Sequence, residues 1–244
     1  MKIVEKMIAK SKDLNGANPV CIAFLGDSVT QGCFDVYPTG ENTIETYFDA
    51  EHAYHTKLRK ILNMLYPAVP VNIINAGISG SSAAHGVTRL ERDVLRFSPD
   101  LCVVCFGLND SGAELNDQEA LHNYISALKT IFEELKKRDI EIIFMTPNMM
   151  CTEVSCHITS QLIKDIAQKK SCIQNSGRLD MFLEAAKQLA DEKHIPVCDC
   201  YAKWKKLFEN GVNITELLSN KINHPIQDMN WLFAYELVET IFNH

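Results

Sequence analysis

Apolar residues in this chain follow two rhythms. Some form short unbroken runs closed by turn residues, and others recur every three to four positions over longer stretches. A short unbroken run reads as a strand buried on both faces, as in a parallel sheet. The first such run is Cys21-Ile22-Ala23-Phe24-Leu25, which passes directly into Gly26-Asp27-Ser28. Further strands are read at 71–77, 101–106, 140–145 and 196–200. Between them, residues 49–65, 83–97, 117–138, 179–194, 201–209 and 228–242 carry the helical period. The longest of these places Leu121, Tyr124, Ile125, Leu128, Ile131, Phe132 and Leu135 on one stripe. Residues 1–19 read as an N-terminal helix and loop. Residues 31–48, with Gly32, Pro38 and Gly40, read as a long loop, and 148–178 as a partly helical insertion over the sheet edge.

Strands alternating with helices predict an α/β fold: a three-layer α/β/α sandwich around a mainly parallel five-stranded sheet. No repeat or low-complexity linker divides the 244 residues, so one domain over 1–244 is expected.

In a parallel sheet the C-terminal ends of the strands lie on one side, and ligands gather there. Ser28 follows the first strand, Gly77 ends the second, and Asn109 follows the third. His224 lies in the loop before the last helix. Taken singly, each has a plain reading. Ser28 suits a helix N-cap, Asp27 and Asn109 suit turns, and Gly77 permits a tight one. Taken together, they suit acyl transfer. A serine hydroxyl is a poor nucleophile until a histidine accepts its proton. The tetrahedral intermediate also needs preorganised donors around its oxyanion. The Ser28 and Gly77 N–H groups and the Asn109 amide could supply three.

Gly26-Asp27-Ser28, Asn75-Ala76-Gly77, Gly107-Leu108-Asn109-Asp110 and His224-Pro225 resemble, in order, the blocks of the SGNH hydrolases, the GDSL esterase/lipase superfamily. The resemblance spans residues 20–240. It implies a flavodoxin-like sandwich, Ser28 as nucleophile, His224 as base and an oxyanion hole from Ser28, Gly77 and Asn109. It implies a small-molecule ester substrate and neither metal nor organic cofactor. Asp27 and Asp110 are read as structural support, tying loops through their carboxylates. One position departs from the family pattern, D-x-x-H: Lys221 stands three residues before His224 and has no acceptor for an imidazole N–H. Asn220 or a backbone carbonyl of the same loop is left to orient His224, with Asp228 a weaker candidate.

Composition narrows the function classes. The net charge is −7 and no Lys/Arg block stands out, which argues against a nucleic-acid partner. No apolar run approaches the length of a membrane span. Of the nine cysteines, Cys102 and Cys105 fall on opposite faces of their strand. Cys198 and Cys200 share a face but lack a second pair with metal-ligand spacing. Free thiols in this number fit a reducing cytoplasm. A serine esterase for small carboxylic esters, including acetylated carbohydrates, is therefore expected. A thioesterase or lysophospholipase is the neighbouring alternative. Lys221 motivates a second, a degenerate carbohydrate-binding module. A flavodoxin-like nucleotide binder ranks last, because Gly26-Asp27-Ser28 lacks the glycines and lysine of a phosphate loop.

Overall fold

The computed structural model describes residues 1–40 and 43–244. In chain order, α1 (Lys2–Lys12) leads to β1 (Val20–Gly26), the single turn α2 (Ser28–Gln31), β2 (Cys33–Pro38) and β3 (Ile44–Phe48). Then come α3 (Tyr54–Leu65), β4 (Val71–Gly77), α4 (Ala83–Asp93), β5 (Leu101–Cys105), α5 (Asp117–Lys137) and β6 (Glu141–Met145). The chain closes with α6 (Gln161–Asn175), α7 (Arg178–Glu192), β7 (Val197–Cys198), α8 (Cys200–Glu209) and α9 (Asn230–Asn243).

The strands read from the apolar runs form one parallel sheet in the order β4-β1-β5-β6-β7. Counting sheet strands alone, that is second, first, third, fourth, fifth: the flavodoxin-like order, whose switch point lies between β1 and β5. Gly26 pairs in register with Gly77 on one side and Cys105 on the other, so the three strands end level. The loops that follow them are therefore neighbours.

Alternate residues of each strand feed two cores. Ile22, Phe24, Val103, Cys105 and Ile143 face α1, α3, α8 and α9, where they meet Met7, Tyr54, Leu58, Trp204 and Phe233. Ala23, Leu25, Cys102, Val104 and Phe144 face α4, α5 and α7, against Leu90, Leu128, Phe132 and Phe182. The result is the expected α/β/α sandwich. Cys102 and Cys105 belong to opposite cores, and Cys198 and Cys200 lie with sulfurs 3.7 Å apart.

Two expectations need revision. The stretch 31–48 is not one long loop: β2 and β3 pair in an antiparallel hairpin with Val36 opposite Thr46 and Tyr37 opposite Glu45. Pro38 sits at the end of β2, where the missing N–H costs little. Glu41 and Asn42 of that stretch lie outside the described residues. Residues 148–178 are partly helical as expected, with an irregular segment before α6, but Met149, Met150, Cys151, Ile163 and Ala167 are buried in the first core. This part of the chain is integral to the sandwich.

Candidate active site

The end of β1 is shaped by its glycine. A Cβ on Gly26 would lie 2.1 Å from Thr30 Oγ1 and 2.8 Å from the Cys105 carbonyl, so only glycine allows the turn into α2. Asp27 caps that turn, with Oδ1 accepting the Val29 N–H at 3.0 Å. Ser28 becomes the first residue of α2, buried, with its N–H among the free donors of a helix start.

His224 meets it from the far end of the chain. Its Nε2 lies 2.9 Å from Ser28 Oγ, and its Nδ1 lies 3.0 Å from the Phe34 carbonyl. A carbonyl can only accept, so Nδ1 carries the proton and Nε2 is left to accept from the Ser28 hydroxyl. That is the tautomer a general base needs.

The orienting group differs from expectation. Asn220 Oδ1 accepts the backbone N–H groups of Ile222, Asn223 and His224 at 3.0, 2.9 and 2.9 Å. Its Nδ2 donates to Asn223 Oδ1. Asn220 thus folds the loop beneath the imidazole without touching the ring. The orienting carbonyl belongs to β2, not to the loop of His224. Lys221 turns away, its Nζ 2.9 Å from Glu216 Oε2, with backbone φ at +55°.

Gly77 is corrected as well. Its N–H donates to Asn75 Oδ1 at 3.0 Å, so it is not free for an oxyanion. A Cβ there would lie 2.2 Å from the Gln31 nitrogen, so Gly77 serves the close approach of β4 to α2. Gly80, at φ +74°, belongs to the same loop and its N–H makes no hydrogen bond among the described residues. Nothing in the residue types distinguishes the two glycines; the Asn75 side chain does, taking the Gly77 N–H on Oδ1 while Nδ2 donates to the Gln31 carbonyl. Asn109 Nδ2 donates to the Ser81 carbonyl at 3.1 Å, which leaves its second N–H available beside the same loop. Asp110 holds the start of α4 and the turn after β5, accepting from the Ala83 N–H at 2.9 Å and the Gly107 N–H at 3.1 Å.

A brace absent from the sequence reading sits underneath. Arg89 on α4 donates to the carbonyls of Ala76 at 2.6 Å and Gly26 at 2.8 Å, and to Ser81 Oγ at 3.3 Å. It locks the ends of β1 and β4 to the loop between Gly77 and Ser82.

Burial sets the site's protonation. It pushes the Asp27 carboxyl up to about 7 and the Asp110 carboxyl up to about 6. It pulls His224 down to about 4, against the Phe34 hydrogen bond and Asp35, with the Lys170 ammonium adding to the fall. Only neutral imidazole can accept a proton. Hence kcat/KM for any ester cleaved here should hold between about pH 7 and 5 and fall as pH drops through about 4. An acid limb centred near 6.5, that of a solvated histidine, would contradict this. Among the described residues, no three His, Cys, Asp or Glu side chains come together to hold a metal ion.

A flavodoxin-like sheet with a serine–histidine contact, a strand-end asparagine and a glycine loop at its switch point defines the SGNH hydrolase class. The chain belongs to the GDSL-like lipase/acylhydrolase family, whose model matches residues 24–231. It is 30% identical over 132 residues to an acetylxylan esterase of Geobacillus stearothermophilus, a match covering 52% of this chain and 58% of that relative. A solved acetylxylan esterase from Geobacillus stearothermophilus superposes with a TM-score of 0.65 at 22% identity, over 91% of this chain and 94% of that one. A two-domain esterase active on acetylated mannans superposes with a TM-score of 0.65 at 17% identity, over 99% of this chain and 53% of that one.

Proposed function

We propose that this protein is a serine esterase that removes small acyl groups, acetyl foremost, from carbohydrates. The 2.9 Å contact between Ser28 Oγ and His224 Nε2 carries the proposal. As Oγ attacks the ester carbonyl, Nε2 takes its proton. The oxyanion is received by the Ser28 N–H, the free N–H of Asn109 and the Gly80 N–H. Collapse expels the alcohol, protonated by His224. His224 then draws a proton from water, which attacks the acyl-enzyme, and as the second intermediate collapses His224 returns that proton to Ser28 Oγ and the acid leaves. The Phe34 carbonyl fixes the tautomer but brings no full negative charge to the imidazolium, so a working dyad replaces a triad.

The carbohydrate preference rests on the acetylxylan esterase relative and on a cleft of mixed polar and apolar lining bounded by β2 and the loop of His224. That cleft, of about 270 Å³, runs between Asp35, Tyr37, His157, Ser160 and Lys221. It shares its walls with the strand that carries Phe34 and the loop that carries His224. The Tyr37 and Tyr47 rings are exposed on the hairpin, as flat faces on which a sugar can stack. The nine unpaired cysteines favour a reducing cytoplasm as its place of work.

Acetate release from acetylated xylooligosaccharides, measured beside p-nitrophenyl acetate, a thioester and a lysophospholipid, tests this. Faster release from the acetylated sugar than from the thioester or lysophospholipid is expected. No release from any of them would contradict the esterase reading and leave the binding module.

A further inference from the structure

α6 carries a cation that no step above uses. Lys170 is half-buried, and the only hydrogen bond of its Nζ among the described residues is a long one, 3.4 Å to the Leu108 carbonyl. Lys187 and Lys221, buried to a similar degree, close on carboxylates at 3.0 and 2.9 Å. On the same helix, Lys169 turns outward to Glu114. An ammonium held partly out of water with no carboxylate closing on it is costly, and such groups cluster at working sites.

Its position is specific. Leu108 immediately precedes Asn109, and a Cβ on Gly112 would lie 2.8 Å from Lys170 Nζ. The bare glycine thus leaves the ammonium its seat against the turn that carries Asn109. The ionisable groups around it come from four other parts of the fold: Asp27 after β1, Asp110 after β5, Cys151 after β6 and His224 before α9. Both carboxyls are buried and held by backbone N–H groups, and neither closes on the ammonium. Asp35 faces His224 from β2 with opposite sign to Lys170.

We propose that Lys170 is a positioning residue that works through its charge, holding an unpaired ammonium beside the Asn109 turn so that negative charge developing on the ester oxygen is stabilised. This rests on the esterase reading of the site. The same charge opposes protonation of His224, so it trades base strength for oxyanion stabilisation and for activity at lower pH.

The test compares Lys170→Met and Lys170→Arg with the wild type on p-nitrophenyl acetate, with Ser28→Ala in parallel. Lys170→Met should lower kcat about tenfold with little change in KM, the scale expected for one charge acting across several ångströms of protein. Its acid limb should move to higher pH, because the cation opposing the imidazolium is gone. Lys170→Arg should keep most of both. The His224 ring resonance, titrated by NMR, should shift upward in Lys170→Met, a readout independent of turnover. Thermal melting checks folding, with Lys170→Gln replacing the Met variant if that fails. Unchanged kcat and acid limb in Lys170→Met, or equal losses in Met and Arg, would overturn this inference alone. If Ser28→Ala turns over as fast as the wild type, the esterase reading falls and this inference with it.

Discussion

Ser28→Ala is expected to lower kcat/KM on p-nitrophenyl acetate by roughly 10⁴-fold or more. Ser28 Oγ is the one hydroxyl on His224 Nε2, and that nitrogen is the one acceptor the tautomer leaves free. In the proposed mechanism, removing Oγ takes away the attacking atom and leaves only the oxyanion donors and the acyl site. His224→Ala should cost a similar factor, because the serine then has nowhere to send its proton. The double variant should lose little more than either single one, since the two residues act as one unit. Steady-state kinetics on the three variants checks this. Losses that multiply would mean that serine and histidine act independently.

Asn109→Ala should lower kcat by about 10²–10³-fold, with KM little changed. Its Nδ2 is placed by a bond to the Ser81 carbonyl, in the loop that also holds Gly80. A donor fixed before reaction stabilises the oxyanion without reorganising, so its loss falls on the transition state and not on ground-state binding. The side chain is half-buried and its single hydrogen bond among the described residues reaches a loop carbonyl, so a folded variant is expected. A raised KM with kcat unchanged would place Asn109 in substrate binding instead.

The apolar runs of β1, β4 and β5 were legible because buried parallel strands need no alternation, and their ends located Ser28 and Asn109. His224 was legible as a loop histidine in a family-like block, though its ring partner was not. Phe34 orients His224 through a backbone carbonyl, and a carbonyl has no residue signature. Its strand was hidden too: Gly32, Pro38 and Gly40 punctuate the hairpin, and turn residues read as loop. The D-x-x-H pattern drew attention to Asn220, whose side chain is consumed by three backbone N–H groups of its own loop. Gly77 and Gly80 are three residues apart in one small-residue stretch. Which N–H remains free depends on a side-chain rotamer at Asn75. Arg89 and Lys170 sit on helices where charged residues are ordinary, so only their packed surroundings set them apart.

The most direct measurement is to capture the acyl-enzyme. The protein is mixed with excess p-nitrophenyl acetate, quenched in acid within one turnover, digested and analysed by mass spectrometry. A single acetyl group on the Ser28 hydroxyl is expected, absent from Ser28→Ala. An initial burst of p-nitrophenol is expected wherever deacylation is the slower step. Acetyl found on a lysine or cysteine instead, with Ser28 unmodified and turnover intact, would contradict it.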